Sequence, residues 1–148
     1  MRAAVRVLDS YSLIAYIEGE AGKDTVIDVF RSARDSGKSC LLSVVNWGEV
    51  YNITLREAGQ VRAEEVAHLI STLPIHIIEA DLELAKQAAI LKAGKRMSYA
   101  DCFAAALAKQ RKVELVTGDK EFKQVEDEVK IVDVALTVAC HTTPCSGA

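Results

Sequence analysis

With 148 residues, the chain is long enough for one domain with a buried core. Half of its residues are hydrophobic, 26% are charged and the net charge is −3, so it reads as an ordinary globular protein with no global pull toward nucleic acid. No apolar run approaches the roughly 20 residues of a membrane span and no signal-peptide pattern stands at the start; the expected location is cytoplasmic, with no membrane partner.

Taken in order, residues 4–9 (Ala-Val-Arg-Val-Leu-Asp) read as a first strand ending at Asp9. Ser10 or Ser12 can cap a short helix that buries Leu13, Ile14 and Ile17 and breaks at Gly19 and Gly22. Val26, Val29, Phe30 and Ala33 recur at helical spacing over residues 23–36, and Gly37 terminates that helix. Cys40-Leu-Leu42 is a short buried strand. It leads into a helix over 44–58, capped by Ser43 and closed by Gly59. A further amphipathic helix over 62–72 stops before Pro74, and residues 75–78 form a third strand. Asp81 caps a helix ending at Gly94, an alanine-rich helix follows Ser98, and strands are expected near 114–117 and 130–134. Strands alternating with helices, without hairpin signals, argue for an α/β fold whose parallel sheet is covered on both faces. One domain is expected over 1–138, with a polar, loose tail over 139–148.

Four acids stand where these elements meet. Asp9 ends a strand, Glu49 lies in the early turns of a helix that leaves a strand, Asp101 is in the first turn of the alanine-rich helix, and Asp119 follows a strand. Each has an ordinary explanation. Asp9 suits a helix N-cap, Glu49 a solvated face, Ser98-x-x-Asp101 a capping box and Gly-Asp119-Lys a turn. Gly48, a poor helix former directly before Glu49, would suit a close approach at that point. Together, the four project toward one edge of the expected sheet. Hard divalent cations need oxygen ligands gathered in this way, and crowded carboxylates repel one another without one. Cys40 and Cys102 fall in apolar segments and read as core residues, and the four cysteines make no disulfide framework. His68, His76 and His141 lie away from the acids, so no Ser-His-Asp arrangement competes.

The segments Val-Leu-Asp9-Ser-Tyr-Ser-Leu-Ile-Ala, Leu-Ser43-Val-Val-Asn46-Trp-Gly-Glu49-Val, Ser98-Tyr-Ala-Asp101-Cys-Phe-Ala-Ala-Ala-Leu-Ala and Leu-Val-Thr117-Gly-Asp119-Lys-Glu-Phe122 carry a resemblance. In this order and spacing they resemble the PIN domain, and most of all the VapC-type ribonuclease toxins of toxin–antitoxin pairs, across roughly residues 4–136. The resemblance implies a three-layer α/β/α fold and an acidic pocket for one or two Mg2+ or Mn2+ ions. By position, Asp9, Glu49, Asp101 and Asp119 would be the metal ligands and catalytic acids, with Thr117 and Ser10 in support. The implied activity is metal-dependent endonucleolytic hydrolysis of RNA, and the implied partners are RNA, a cognate antitoxin that occludes the site and a second copy in a homodimer. The tail departs from the pattern: Cys140-His141 with Cys145 offers three soft ligands without a fourth.

Lys95 and Arg96, just before the Asp101 helix, admit two readings: contacts to RNA phosphates, or cations complementing a helix C-terminus. Tyr11, Tyr16, Trp47 and Tyr51 are candidates for interface anchors or for core. Two rival functions remain. One is a receiver-type phosphoacceptor, which needs an acidic pair after the first strand that Asp9 lacks; the other is a PIN-like module that binds without catalysis.

Overall fold

The computed structural model describes residues 5–135. It contains strands β1 (Arg6–Leu8), β2 (Cys40–Ser43), β3 (Ile75–Ile78), β4 (Glu114–Thr117) and β5 (Ile131–Asp133). Between them lie helices α1 (Ser10–Glu18), α2 (Lys23–Asp35), α3 (Val44–Thr72), α4 (Leu82–Gly94) and α5 (Tyr99–Arg111), and a 3-10 helix over Lys120–Val125. The five strands form one sheet in the order β3-β2-β1-β4-β5, and every neighbouring pair is parallel. A receiver-type sheet places its third strand beside the first. Here β3 is at the edge and β1 is flanked by β2 and β4, so that rival is excluded by topology.

Alternation along the strands divides the core in two. Val7, Leu41 and Leu115 face α4, α5 and the 3-10 helix, where Leu84, Ala88, Leu107 and Phe122 are buried. Leu8, Leu42 and Val116 face α1, α2 and α3, meeting Leu13, Val26, Phe30 and Val50. The result is the expected three-layer α/β/α arrangement. Cys40 and Cys102 are buried free thiols in these cores. Tyr16 also packs inward, edge-on to Phe30 with ring centroids 5.0 Å apart. α5 is buried along most of its length, and Ala104, Ala105, Ala106 and Ala108 explain how. Alanine favours helix and carries no side-chain entropy, so the backbone of α5 can approach both sheet and neighbours closely.

The expected division of residues 44–72 into two helices has a physical mark. Gly59 sits at φ 87° and ψ 174°, a region essentially reserved for glycine, and breaks the run that is otherwise continuous from Val44 to Thr72. Of the caps expected for the first helix, Asp9 rather than Ser10 or Ser12 supplies it: its carboxylate accepts the Ser12 backbone N–H at 2.8 Å. The tail from residue 139, including Cys140, His141 and Cys145, lies outside the described residues. No helix among them is long and apolar enough to cross a membrane.

Candidate active site

The strand order reverses at β1, with β2 and β3 on one side and β4 and β5 on the other. In open α/β sheets the crevice at the C-terminal ends of the strands, at such a reversal, is where ligands bind. Asp9 and Thr117 stand there, immediately after β1 and at the end of β4. Both are buried, with 1% of their surface exposed. The Thr117 hydroxyl donates to Asp9 Oδ2, and its oxygen accepts the Asp119 backbone N–H at 3.0 Å. One hydroxyl therefore joins the first acid to the loop carrying the last. Asp119 in turn caps the 3-10 helix, accepting the Glu121 N–H at 2.9 Å.

Asp101 enters from the first turn of α5. The capping reading is right for its neighbour, since Ser98 Oγ accepts the Asp101 N–H at 3.1 Å. Capping leaves the Asp101 carboxylate available at the site. Oxygens of Asp101, Asp119 and Glu121 all lie within 4.8 Å of one another. Glu121 is the acid that sequence reading overlooked. Its signal was its spacing, two residues beyond Asp119 at the start of a helical turn. Asp9 and Glu49 are outside that tight group, yet their charges reach it through Asp101.

The electrostatics bear this out. Burial is the main cause that lifts the Asp101 carboxyl from 3.8 to about 6; the Ser98 hydrogen bond opposes the rise, and Asp119, Glu49 and Glu121 add to it. Burial likewise lifts Asp9 from 3.8 to about 7, against hydrogen bonds from Thr117 and Ser12, with Asp101 contributing repulsion. Among the described residues, no lysine or arginine forms an ion pair with any of the five acids. Oxygen donors, mutual repulsion and the lack of a protein cation together fit a hard divalent ion.

The supporting residues fall into two classes. Ser10 is one step behind the acids, its hydroxyl accepting from Asn46 Nδ2 at 3.1 Å and donating to the Asn46 carbonyl at 3.4 Å. Lys95 lies 3.9 Å from Glu128, and the backbone around Arg96 is tied to Gln124 of the 3-10 helix by two hydrogen bonds. These cations thus flank the segment that follows Asp119. At Gly48 no atom of the described residues beyond its own helix would come within 4 Å of an added Cβ, so none of them makes the expected close approach. Gly118 does meet a close approach: a Cβ there would collide with the Tyr11 ring and stand 3.0 Å from Val134 Cγ2.

The profile of the PIN domain family matches residues 6–128. This chain belongs to the PIN domain family. No curated protein sequence matches it. Solved structures of similar fold include the DNA-bound VapBC complex of Salmonella typhimurium, at 17% identity and a TM-score of 0.72, covering 88% of this chain and 98% of that one. VapC20 of Mycobacterium tuberculosis, described as a sarcin–ricin loop cleaving toxin, matches at 17% identity and 0.65 over 81% and 94% of the two chains. VapBC-5 of the same organism, a member of a family of toxin–antitoxin systems, is 23% identical at 0.58, over 88% and 98%.

Proposed function

We propose that this PIN domain is a divalent-metal-dependent endoribonuclease that acts as the toxin of a VapBC-type pair. The observation that carries the reading is Asp101, a half-buried carboxylate facing three other acids, with no lysine or arginine of the described residues in an ion pair with any of them. The solved toxin–antitoxin structures of the same fold support the biological setting. The catalytic unit in this reading is residues 1–138, in the cytoplasm, and its partners are RNA, a cognate antitoxin and a second copy of the chain.

Asp101, Asp119 and Glu121 would hold Mg2+ or Mn2+, with Asp9 and Glu49 completing the acidic wall. When bound, such an ion supplies activation of a water and neutralisation of charge on the phosphate. The chain supplies the rest. Thr117 fixes the Asp9 carboxylate from one side while the Ser12 N–H fixes it from the other, so Asp9 cannot rotate away. Ser98 and the helix turn hold Asp101 in place. Lys95 and Arg96 steer the phosphates of an incoming strand toward the acids, since an acidic pocket needs flanking positive charge to admit RNA. The exposed Tyr11 and the stacked Trp47–Tyr51 pair, with ring centroids 5.4 Å apart, are the anchors proposed for protein contacts.

The direct test is cleavage of RNA by the purified protein with added Mg2+ or Mn2+, with EDTA and with Asp101→Asn. Cleavage that requires the ion and the carboxylate supports the reading. Undiminished cleavage in EDTA rejects the metal mechanism.

A further inference from the structure

Asn46 is fully buried, at 0% exposure, and lies one helical turn before Glu49 on α3. Both hydrogens of its side-chain amide are used. Nδ2 donates to Ser10 Oγ, next to Asp9, and to the Ala100 carbonyl, next to Asp101, at 3.1 Å each. The Ala100 carbonyl needs a donor, so the amide has one orientation, and Oδ1 cannot exchange places with Nδ2. In that orientation Oδ1 is the one buried side-chain polar atom among the described residues without a partner.

We infer that Asn46 is a positioning residue of the proposed metal site, the knot that sets Asp9, Glu49 and Asp101 in register. The inference rests on the metal-dependent reading given above. Three elements bring those acids: the β1–α1 junction, α3 and the first turn of α5. One side-chain amide links all three, because Asn46 belongs to the helix of Glu49 and bonds the Ser10 hydroxyl beside Asp9 and the Ala100 carbonyl beside Asp101. Groups that orient metal ligands without touching the ion are where such sites are tuned. The unpartnered Oδ1 fits this role. A buried acceptor left unpaired is costly, and a donor brought in with a hydrated cation would satisfy it. A packing role alone would be served by an apolar side chain, without an orphaned oxygen.

The test uses the full chain, with Mn2+ affinity by calorimetry, thermal melting, and kcat and KM for RNA cleavage. Asn46→Ala should weaken Mn2+ binding by roughly 10–100-fold and lower kcat more than KM changes. Val66→Ala, in the same helix beyond the Gly59 break, is the matched control: it should lower the melting temperature while Mn2+ affinity stays within about twofold. If Asn46→Ala does not fold, Asn46→Ser retains one hydroxyl donor and should give an intermediate affinity. A folded Asn46→Ala or Asn46→Ser that binds Mn2+ like the parent, in a protein that binds the ion and cleaves RNA, overturns this inference alone. A parent protein that binds no Mn2+ overturns the metal reading and this inference with it.

Discussion

The two ends of the sheet treat their charges in opposite ways. At the N-terminal end, Glu114 starts β4 opposite Arg6 in β1; Arg6 Nε lies 2.9 Å away and Lys130 Nζ 3.2 Å away. Glu128 is similarly held by Lys109 at 2.7 Å. At the C-terminal end five acids gather with no such partner among the described residues, and burial holds two of them well above their ordinary range. The same chain thus pairs acids at one end and leaves them unpaired at the other. Ion pairs serve the fold, and in the proposed reading the unpaired acids serve a cation that is not part of the chain.

The comparison breaks most visibly if one unpaired acid is neutralised. Asp101→Asn or Asp9→Asn should abolish metal-dependent RNA cleavage, since an ion's contribution of several kcal/mol corresponds to about 10³-fold in rate. Circular dichroism should show the fold intact. Glu114→Gln, at the other end, should leave cleavage unchanged. Equal losses from the two ends would mean that the ends do not differ in function.

A second effect sets the sign of the pH dependence. In the metal-free protein, Asp9 and Asp101 are protonated in the folded state at pH values where the unfolded chain has already released those protons. The folded state binds more protons between pH 3.8 and about 7, so stability falls as pH rises through that window. For Asp9, a rise from 3.8 to about 7 corresponds to roughly 4 kcal/mol. Asp9→Asn should therefore melt higher than the parent at pH 8 without metal, and lower than the parent with Mn2+. Melting curves at pH 5 and pH 8, with and without the ion, check both halves. A parent whose melting point ignores pH and metal alike would show that the acids do not share a site.

How far this site could be read from the sequence depends on what each residue's signal is made of. The alternation of strands and helices was legible because periodicity and capping are local properties, and even the Gly59 break was marked by a glycine. The four acids were legible as candidates because Asp9 and Asp119 follow strands that end at one sheet edge, while Glu49 and Asp101 lie in the first turns of helices. Glu121 was not, because an acid in Gly-Asp-Lys-Glu looks like a turn until the 3-10 helix folds it back toward Asp101. Asn46 was hidden for a different reason. Its role consists of bonds to Ser10 and Ala100, 36 and 54 positions away, and no spacing within α3 announces them. Asp9 carried two readings, cap and site, and the structure gives it the cap as well as the buried place at the crevice.

Packing, where ion pairs are lacking, holds the acidic end together, and a smaller perturbation probes it. Gly118 lies between Thr117 and Asp119, and the Tyr11 ring and Val134 occupy the space a methyl group would need. Gly118→Ala should cost about 1–3 kcal/mol in urea unfolding, the usual range for overpacking. Part of that loss should return in the double variant with Tyr11→Ala, because the ring is the closest obstacle. An additive double variant would place the strain elsewhere.

The smallest effect is the mirror image of the Asp9 behaviour. Burial pushes the Glu114 carboxyl up, but hydrogen bonds and charge from Lys130 and Arg6 outweigh it and hold the group below its ordinary 4.5. The folded state therefore releases this proton more readily than the unfolded chain does. Its stabilisation is complete above pH 4.5 and is lost as pH falls through the lower folded value. Pairs of this kind near the surface contribute about 0.2–1 kcal/mol, so Glu114→Gln should cost about that much at pH 7 and progressively less below pH 4.5, where the parent has lost the same interaction. Unfolding in urea across pH 3–7 measures the convergence. The acidic end should show the opposite slope over the overlapping range, stability falling with rising pH until the ion is added. Two carboxylates at opposite ends of one sheet, Asp9 and Glu114, would then be separated by the sign of one measured slope.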